Sequence, residues 1–201
     1  MRDQLQAARY KLTQPEVAPY YARVAYALRF VEVNEGLPTD KDGIPTVGVD
    51  SKLRLYYSEK TAGKWSTEEL VAVMAHEVNH VLRDHSKRAP QLAKTDGKVQ
   101  FQWNIAGDCE INDDLKASGL TMPERVVDQA TGKPSGYVLP EDIGAPDGLT
   151  AEEYFRYKRE QDEQEGEQDG DQQGDGPMDG RCGTSAGGDD GDSPADGSGE
   201  D

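Results

Sequence analysis

One segment, residues 66–86, limits what this chain can fold into more than any other. Ser66 followed by Glu69 is a capping box, which satisfies the first free amides of a helix and marks its start. Beyond it, apolar residues recur at helical spacing. With Leu70 as origin, Val81, Met74, Val78, Val71 and Leu82 fill an arc of about 100°. All three histidines of the chain lie between residues 76 and 85. His76 and His80 fall on the opposite side of the wheel, about 40° apart, with small Ala72 beside them. The spacing therefore predicts a helix to about Ser86 that packs on one face. Its other face would offer two imidazoles at the floor of a cleft.

The run His76-Glu77-Val78-Asn79-His80 is an H-E-x-x-H pattern. Two imidazoles one helical turn apart can reach a single metal ion. Glu77, about 60° from His80, can reach a water on that ion without being a ligand. Metal-assisted hydrolysis needs this division between ligands and base. The third ligand is less constrained. His85 falls within the apolar arc and could join the other two only if the chain turned sharply after His80. No glycine between them permits that turn, so His85 reads as a helix-end or packing residue.

A second helix, expected over Phe101 to Ala117, offers carboxylates instead. On its wheel Glu110, Asp113 and Asp114 cluster on the solvent side. Asp108 falls among Ile105, Ile111 and Leu115, flanked one turn away by Asn104 and Asn112. A carboxylate among apolar residues needs partners, and a cation would explain this one. Asp108 is thus the candidate third ligand, with Asn104 and Asn112 as amides that hold the site. Glu110 with Asp114 is the outward-pointing alternative.

The rest reads as an α+β chain with a small sheet. Helix broken near Pro15 occupies the first 28 residues, with strand candidates at Arg29–Val33, Thr46–Val49 and Leu53–Tyr57. Gly36 to Gly43 is turn-rich, residues 119–149 are loop-like, and Thr150 with Glu153 caps a last helix through Tyr154 and Tyr157. There is no internal repeat.

Charge separates a body from a tail. Residues 160–201 hold 15 of the 39 acids but one of the 22 bases, so -14 of the net -17 sits there. Half of the 22 glycines are there too. Such a composition cannot bury enough apolar surface to offset chain entropy. The expectation is one folded domain, residues 1–159, followed by a disordered acidic tail or linker, 160–201. Asp169 to Gly174 begins like a calcium loop, but the twelfth position is Gly180 where a bidentate acid is required. The near-neutral body lacks the basic face of a nucleic-acid binder. No apolar run approaches the roughly 20 residues of a membrane span, and the polar N-terminus has no signal core. Two cysteines make no disulfide framework, so a cytoplasmic location is expected.

The run Ala75-His76-Glu77-Val78-Asn79-His80-Val81-Leu82, with Trp103-Asn104-Ile105-Ala106-Gly107-Asp108 and Asn112, resembles a family of metallopeptidases with a zincin-like N-terminal domain. Leu149 to Tyr154 resembles that family's closing helix, and the likeness spans residues 16–158. It implies a zincin-like fold, one zinc ion on His76, His80 and Asp108, and Glu77 as the catalytic carboxylate. Members often continue through an acidic linker into a von Willebrand factor A-like domain. The partners to expect are a peptide or protein substrate and, through the linker, such a domain or an ATPase. An extended substrate would pair with a sheet edge, the Leu53–Tyr57 strand being the candidate, with Tyr56, Tyr57 or Tyr137 as oxyanion donor. The rival reading is a non-catalytic zinc-containing interaction module tethered by its acidic tail.

Overall fold

The computed structural model describes residues 2–33, 47–58, 60, 63–127 and 134–168. It is a helix-rich α+β domain. Helix α1 (Arg2–Leu12) ends before Pro15, and a 3-10 turn leads into α2 (Ala22–Ala27). Strands β1 (Arg29–Glu32), β2 (Gly48–Val49) and β3 (Arg54–Tyr57) form one sheet. Helix α3 (Thr67–Leu82) follows, then a one-turn helix α4 (His85–Arg88) and the long α5 (Gly97–Ala117). A small antiparallel pair, β4 (Val126–Val127) and β5 (Pro134–Ser135), precedes the closing helix α6 (Ala151–Gln168). Among the described residues no helix is long and apolar enough to cross a membrane. The turn expected at Gly36–Gly43 and the chain beyond Gln168 lie outside the described residues.

The sheet order is β1-β3-β2, with β1 parallel and β2 antiparallel to β3. The Leu53–Tyr57 strand is therefore central, hydrogen-bonded on both sides, and cannot be the edge that accepts a substrate. Among the described residues the outer strands of this sheet are β1 and β2. Asp50 builds the tight β2–β3 turn. Its carboxylate accepts from the Lys52 and Arg54 amides at 2.9 and 3.0 Å and from the Tyr56 hydroxyl at 3.1 Å. Those bonds hold Leu53 at a left-handed φ of 59°.

Helix α3 is the centre of the fold. Ser66 and Glu69 form the expected capping box. Most of the apolar arc behaves as its spacing predicts: Leu70, Met74 and Val78 pack with Leu5 and Leu12 of α1 and with Val49, Leu55 and Tyr57 of the sheet, but Leu82 at the end of the helix is exposed. The opposite face, expected to open on a cleft, is covered. Every residue from Leu70 to His80 is buried, because α5 lies across that face and contributes Ile111 and Leu115 to the same core. Ala72 and Ala75, both fully buried, leave room for the contact.

Two further expectations are corrected. Helix α3 ends at Leu82 and does not reach Ser86. Asp84 takes a left-handed conformation at φ 52°, a turn made by Asp without any glycine. Helix α6 runs past Arg159 to Gln168, so the expected boundary at residue 160 falls inside it. Lys158, 2% exposed, pairs with Asp162, which accepts from Gln102 of α5 at 2.7 Å. A helical wheel cannot foresee the face that α6 covers.

That cover also places Asp113 inside. It accepts from the Tyr154 hydroxyl at 2.6 Å and the Gly148 amide at 2.8 Å. Tyr154 itself is fully buried. Removing its hydroxyl strips a buried carboxylate of one of two donors. Tyr154→Phe should therefore cost about 2 kcal/mol of stability, readable as a lower urea midpoint at unchanged slope.

Candidate metal centre

Helices α3 and α5 bring His76, His80 and Asp108 together. Each offers one ligand atom, and these atoms all lie within 4.8 Å of one another, all three residues being buried. The two Nε2 atoms are 2.9 Å apart. The Asp108 Oδ1 lies 3.1 Å from that of His80 and 3.4 Å from that of His76. Position 108 acts as the apolar surroundings on its wheel suggest: it faces inward, toward α3.

Asn112 sets the orientation of His76. Its amide nitrogen donates to the Val138 carbonyl at 2.8 Å, which can only accept. The Asn112 Oδ1 therefore faces His76 Nδ1, also at 2.8 Å, and that nitrogen must carry the proton. The Nε2 of neutral His76 is then left as a lone pair aimed at His80 and Asp108. Asn104 is half-buried and is not among the hydrogen-bond partners of His76, His80 or Asp108.

The donor set fits a metal ion on its own chemistry. Asp108 Oδ1 is buried with no properly directed hydrogen bond, and both carboxylate oxygens of Glu77 are buried with none. Native interiors seldom leave such atoms orphaned, and a cation among them removes the deficit. Imidazole nitrogens with a carboxylate oxygen suit zinc and its neighbours in the first transition row.

Without a cation the groups compete for protons. Burial pushes Glu77, 0% exposed, up to about 8. Asp108 adds to this, while His76 and a weak pull from the Val49 amide oppose it. Burial brings His80 down to about 4, helped by the neighbouring His76 and His85 rings and opposed by Asp108. For His76, burial acts downward, but Asp108 outweighs it and the net direction is up. Asp108 is raised by burial and lowered more by the two imidazoles, so it stays below the ordinary carboxylate range.

The structure also gathers residues that helical wheels set apart. His85 is 1% exposed, with Nδ1 3.0 Å from His80 Nδ1 and Nε2 2.9 Å from Glu110 Oε2. It is not among the three convergent ligand atoms, as the sequence suggests, yet it touches one of their owners. Glu110, expected on the solvent side, is only 13% exposed and is met by Arg83, Arg88 and the Ala151 amide. Asp114 does face solvent, paired with Arg83. The tyrosines considered as oxyanion donors are engaged elsewhere: Tyr56 with Asp50, Tyr57 with Glu32, and Tyr137 beneath Arg125. The only sequence sign of the His85 contact is Gly107, a glycine inside a helix with no turn to make.

A raised carboxylate pKa has a definite consequence for the metal-free protein. Folded Glu77 holds its proton to about pH 8 but releases it near 4.5 when unfolded, so its burial costs nothing below pH 4.5. The cost grows as pH rises and is complete above 8. Glu77→Gln, which cannot ionise, should therefore stabilise metal-free protein by up to ~3 kcal/mol at pH 7. The gain should vanish by pH 4. Thermal melts of both chains across that range, in chelator, measure it.

A family described as "Putative metallopeptidase domain" has a model that matches residues 2–201. No curated protein and no solved structure matches the chain. With a buried His-His-Asp cluster at its centre, the chain belongs to this family of metallopeptidase domains.

Proposed function

We propose that this domain is a zinc-dependent peptidase of the zincin type, with one ion held by His76, His80 and Asp108. The carrying observation is the convergence of three buried ligand atoms beside a second buried carboxylate, Glu77, that has no hydrogen-bond partner. Zinc bound there would acidify a water toward neutral pH and polarise a scissile carbonyl. Three protein ligands leave a further coordination position open, which suits catalysis better than a closed structural site.

Glu77 supplies the proton transfer. It follows His76 directly on α3, so it shares the cluster's position without contributing to it. A carboxylate buried in a site of low polarity would be ionised by a cation beside it, and could then accept a proton from the attacking water. It can then return that proton to the leaving amine. Asn112 holds His76 in the tautomer that presents Nε2 to the site. A cleft lined by Val49, Ser51, His80, Asp84, Ser86 and Lys87 meets the candidate centre at His80. An extended peptide would enter along it and pair with the side of β2 that is unpaired among the described residues. The acidic C-terminal segment would link the domain to a von Willebrand factor A-like domain or an ATPase that presents substrate.

The variant Glu77→Gln separates binding from catalysis. It should retain one zinc per chain by elemental analysis while cleavage of an unfolded protein substrate falls by at least ~100-fold. Chelator should abolish wild-type cleavage, and added zinc should restore it. Cleavage retained by Glu77→Gln would remove Glu77 from the mechanism. A zinc-loaded wild type with no cleavage of any unfolded substrate would favour the non-catalytic interaction module.

A further inference from the structure

We propose that His85 is a positioning residue for the metal centre. It fixes the tautomer of His80, and Glu110 and Gly107 allow it to do so. The inference rests on the reading that His76, His80 and Asp108 hold a metal.

The argument follows a proton along three side chains. Among the described residues the hydrogen-bond and ion-pair partners of the Glu110 carboxylate besides His85 are all donors. Arg88 Nη1 lies 3.2 Å away, the Ala151 amide 3.1 Å and Arg83 Nη1 3.5 Å. Glu110 is thus an ionised acceptor, and the proton in its 2.9 Å contact with His85 sits on His85 Nε2. A His85 that carries one proton, on Nε2 toward Glu110, presents Nδ1 as a lone pair. This nitrogen faces His80 Nδ1 at 3.0 Å, and two nitrogens at that separation, unlike the two Nε2 atoms that share the metal position, have only a proton to put between them. His80 must supply it. With its proton on Nδ1, His80 has its lone pair on Nε2, the atom 3.1 Å from Asp108 and 2.9 Å from His76 Nε2. Both ring nitrogens of His85 are used, and Nδ1 faces the far side of His80 from the cluster. It orients a ligand and is not one.

The backbone is arranged to deliver this ring. Asp84 in its left-handed conformation turns the chain back after α3. The Trp103 indole donates to the His85 carbonyl at 3.0 Å. The imidazole then lies directly on α5 at Gly107, where a Cβ would stand 2.8 Å from His85 Nδ1. Glycine in a helix interior costs about 1 kcal/mol relative to alanine. Here that cost provides the room His85 needs. Trp103, Gly107 and Glu110 follow one another at helical spacing on α5, which also carries Asp108. A histidine serving only as packing would need neither a carboxylate on one nitrogen nor a ligand imidazole on the other.

The test uses the full chain and zinc alone, in competition with a chromophoric chelator. His85→Leu should bind zinc roughly 10- to 100-fold more weakly than wild type. His85→Asn, whose Oδ1 can accept the His80 Nδ1 proton, should recover most of the loss. Gly107→Ala should weaken zinc binding while the helix content is kept. Nitrogen-15 NMR of the metal-free wild type should show His80 protonated on Nδ1. A folded His85→Leu chain with wild-type zinc affinity, an Asn variant no better than Leu, or His80 protonated on Nε2 in the wild type would each overturn the role of His85. Should His85→Leu not fold, the Asn variant, Gly107→Ala and the wild-type tautomer still decide. A wild type that binds no zinc would instead overturn the metal reading beneath it, and this inference with it.

Discussion

The contact between α3 and α5 is the constraint on which the rest of this structure depends. It is a hydrophobic interface with a polar seam. On one side Leu70, Met74 and Val78 pack with α1 and the sheet, and Ile111 and Leu115 extend that core across α5. Along the seam Glu77, His76, His80 and Asp108 are buried with too few hydrogen-bond donors among them. Burying ionisable groups without partners costs several kcal/mol, and the apolar contacts on the same helix offset it. A cation at the seam would turn this liability into a reason for the two helices to meet.

The seam is supported from outside by groups that each remove a degree of freedom. Asn112 is turned by the Val138 carbonyl and in turn orients His76. Glu110, raised by burial but held low at about 2 by the hydrogen bond from His85 and the charges of Arg88 and Arg83, anchors the ring beside His80. Arg88 ties the same carboxylate to Glu152 at the start of α6. Thus α6 closes the outer face of α5, through Tyr154 on Asp113 and through Asp162 on Gln102. The family match over residues 2–201 and the buried cluster agree with each other. A metallopeptidase domain needs a metal, and these helices gather ligands for one.

Much of the fold was legible because local chemistry governs it. The capping box at Ser66, the break near Pro15 and the strands expected at Arg29–Val33 and Leu53–Tyr57 rest on short-range signals, and all reappear, although burial alternates along β3 and not along β1. Strand order was not legible. Pairing β3 between β1 and β2 joins residues far apart in sequence, and alternation says which face is buried but not which strand is central. The early end of α3 was missed for a different reason. Left-handed backbone was expected to require glycine, and Asp84 adopts it without one.

The sequence by itself determined the helix, the spacing that puts His76, Glu77 and His80 on one side of it, and the inward direction of Asp108. Helical periodicity and the cost of burying a charge suffice for these. Only the tertiary structure decided that the face carrying His76 and His80 is buried, that Asn112 and not Asn104 orients His76, that Glu110 is mostly covered and that Asp113 is buried. It alone brought His85 to His80. The physical reason is common to all of these: a wheel describes one helix against an undefined solvent. What counts as solvent on α3 and α5 is settled by the arrival of α5, α6 and the turn at Asp84, whose positions depend on contacts between distant parts of the chain.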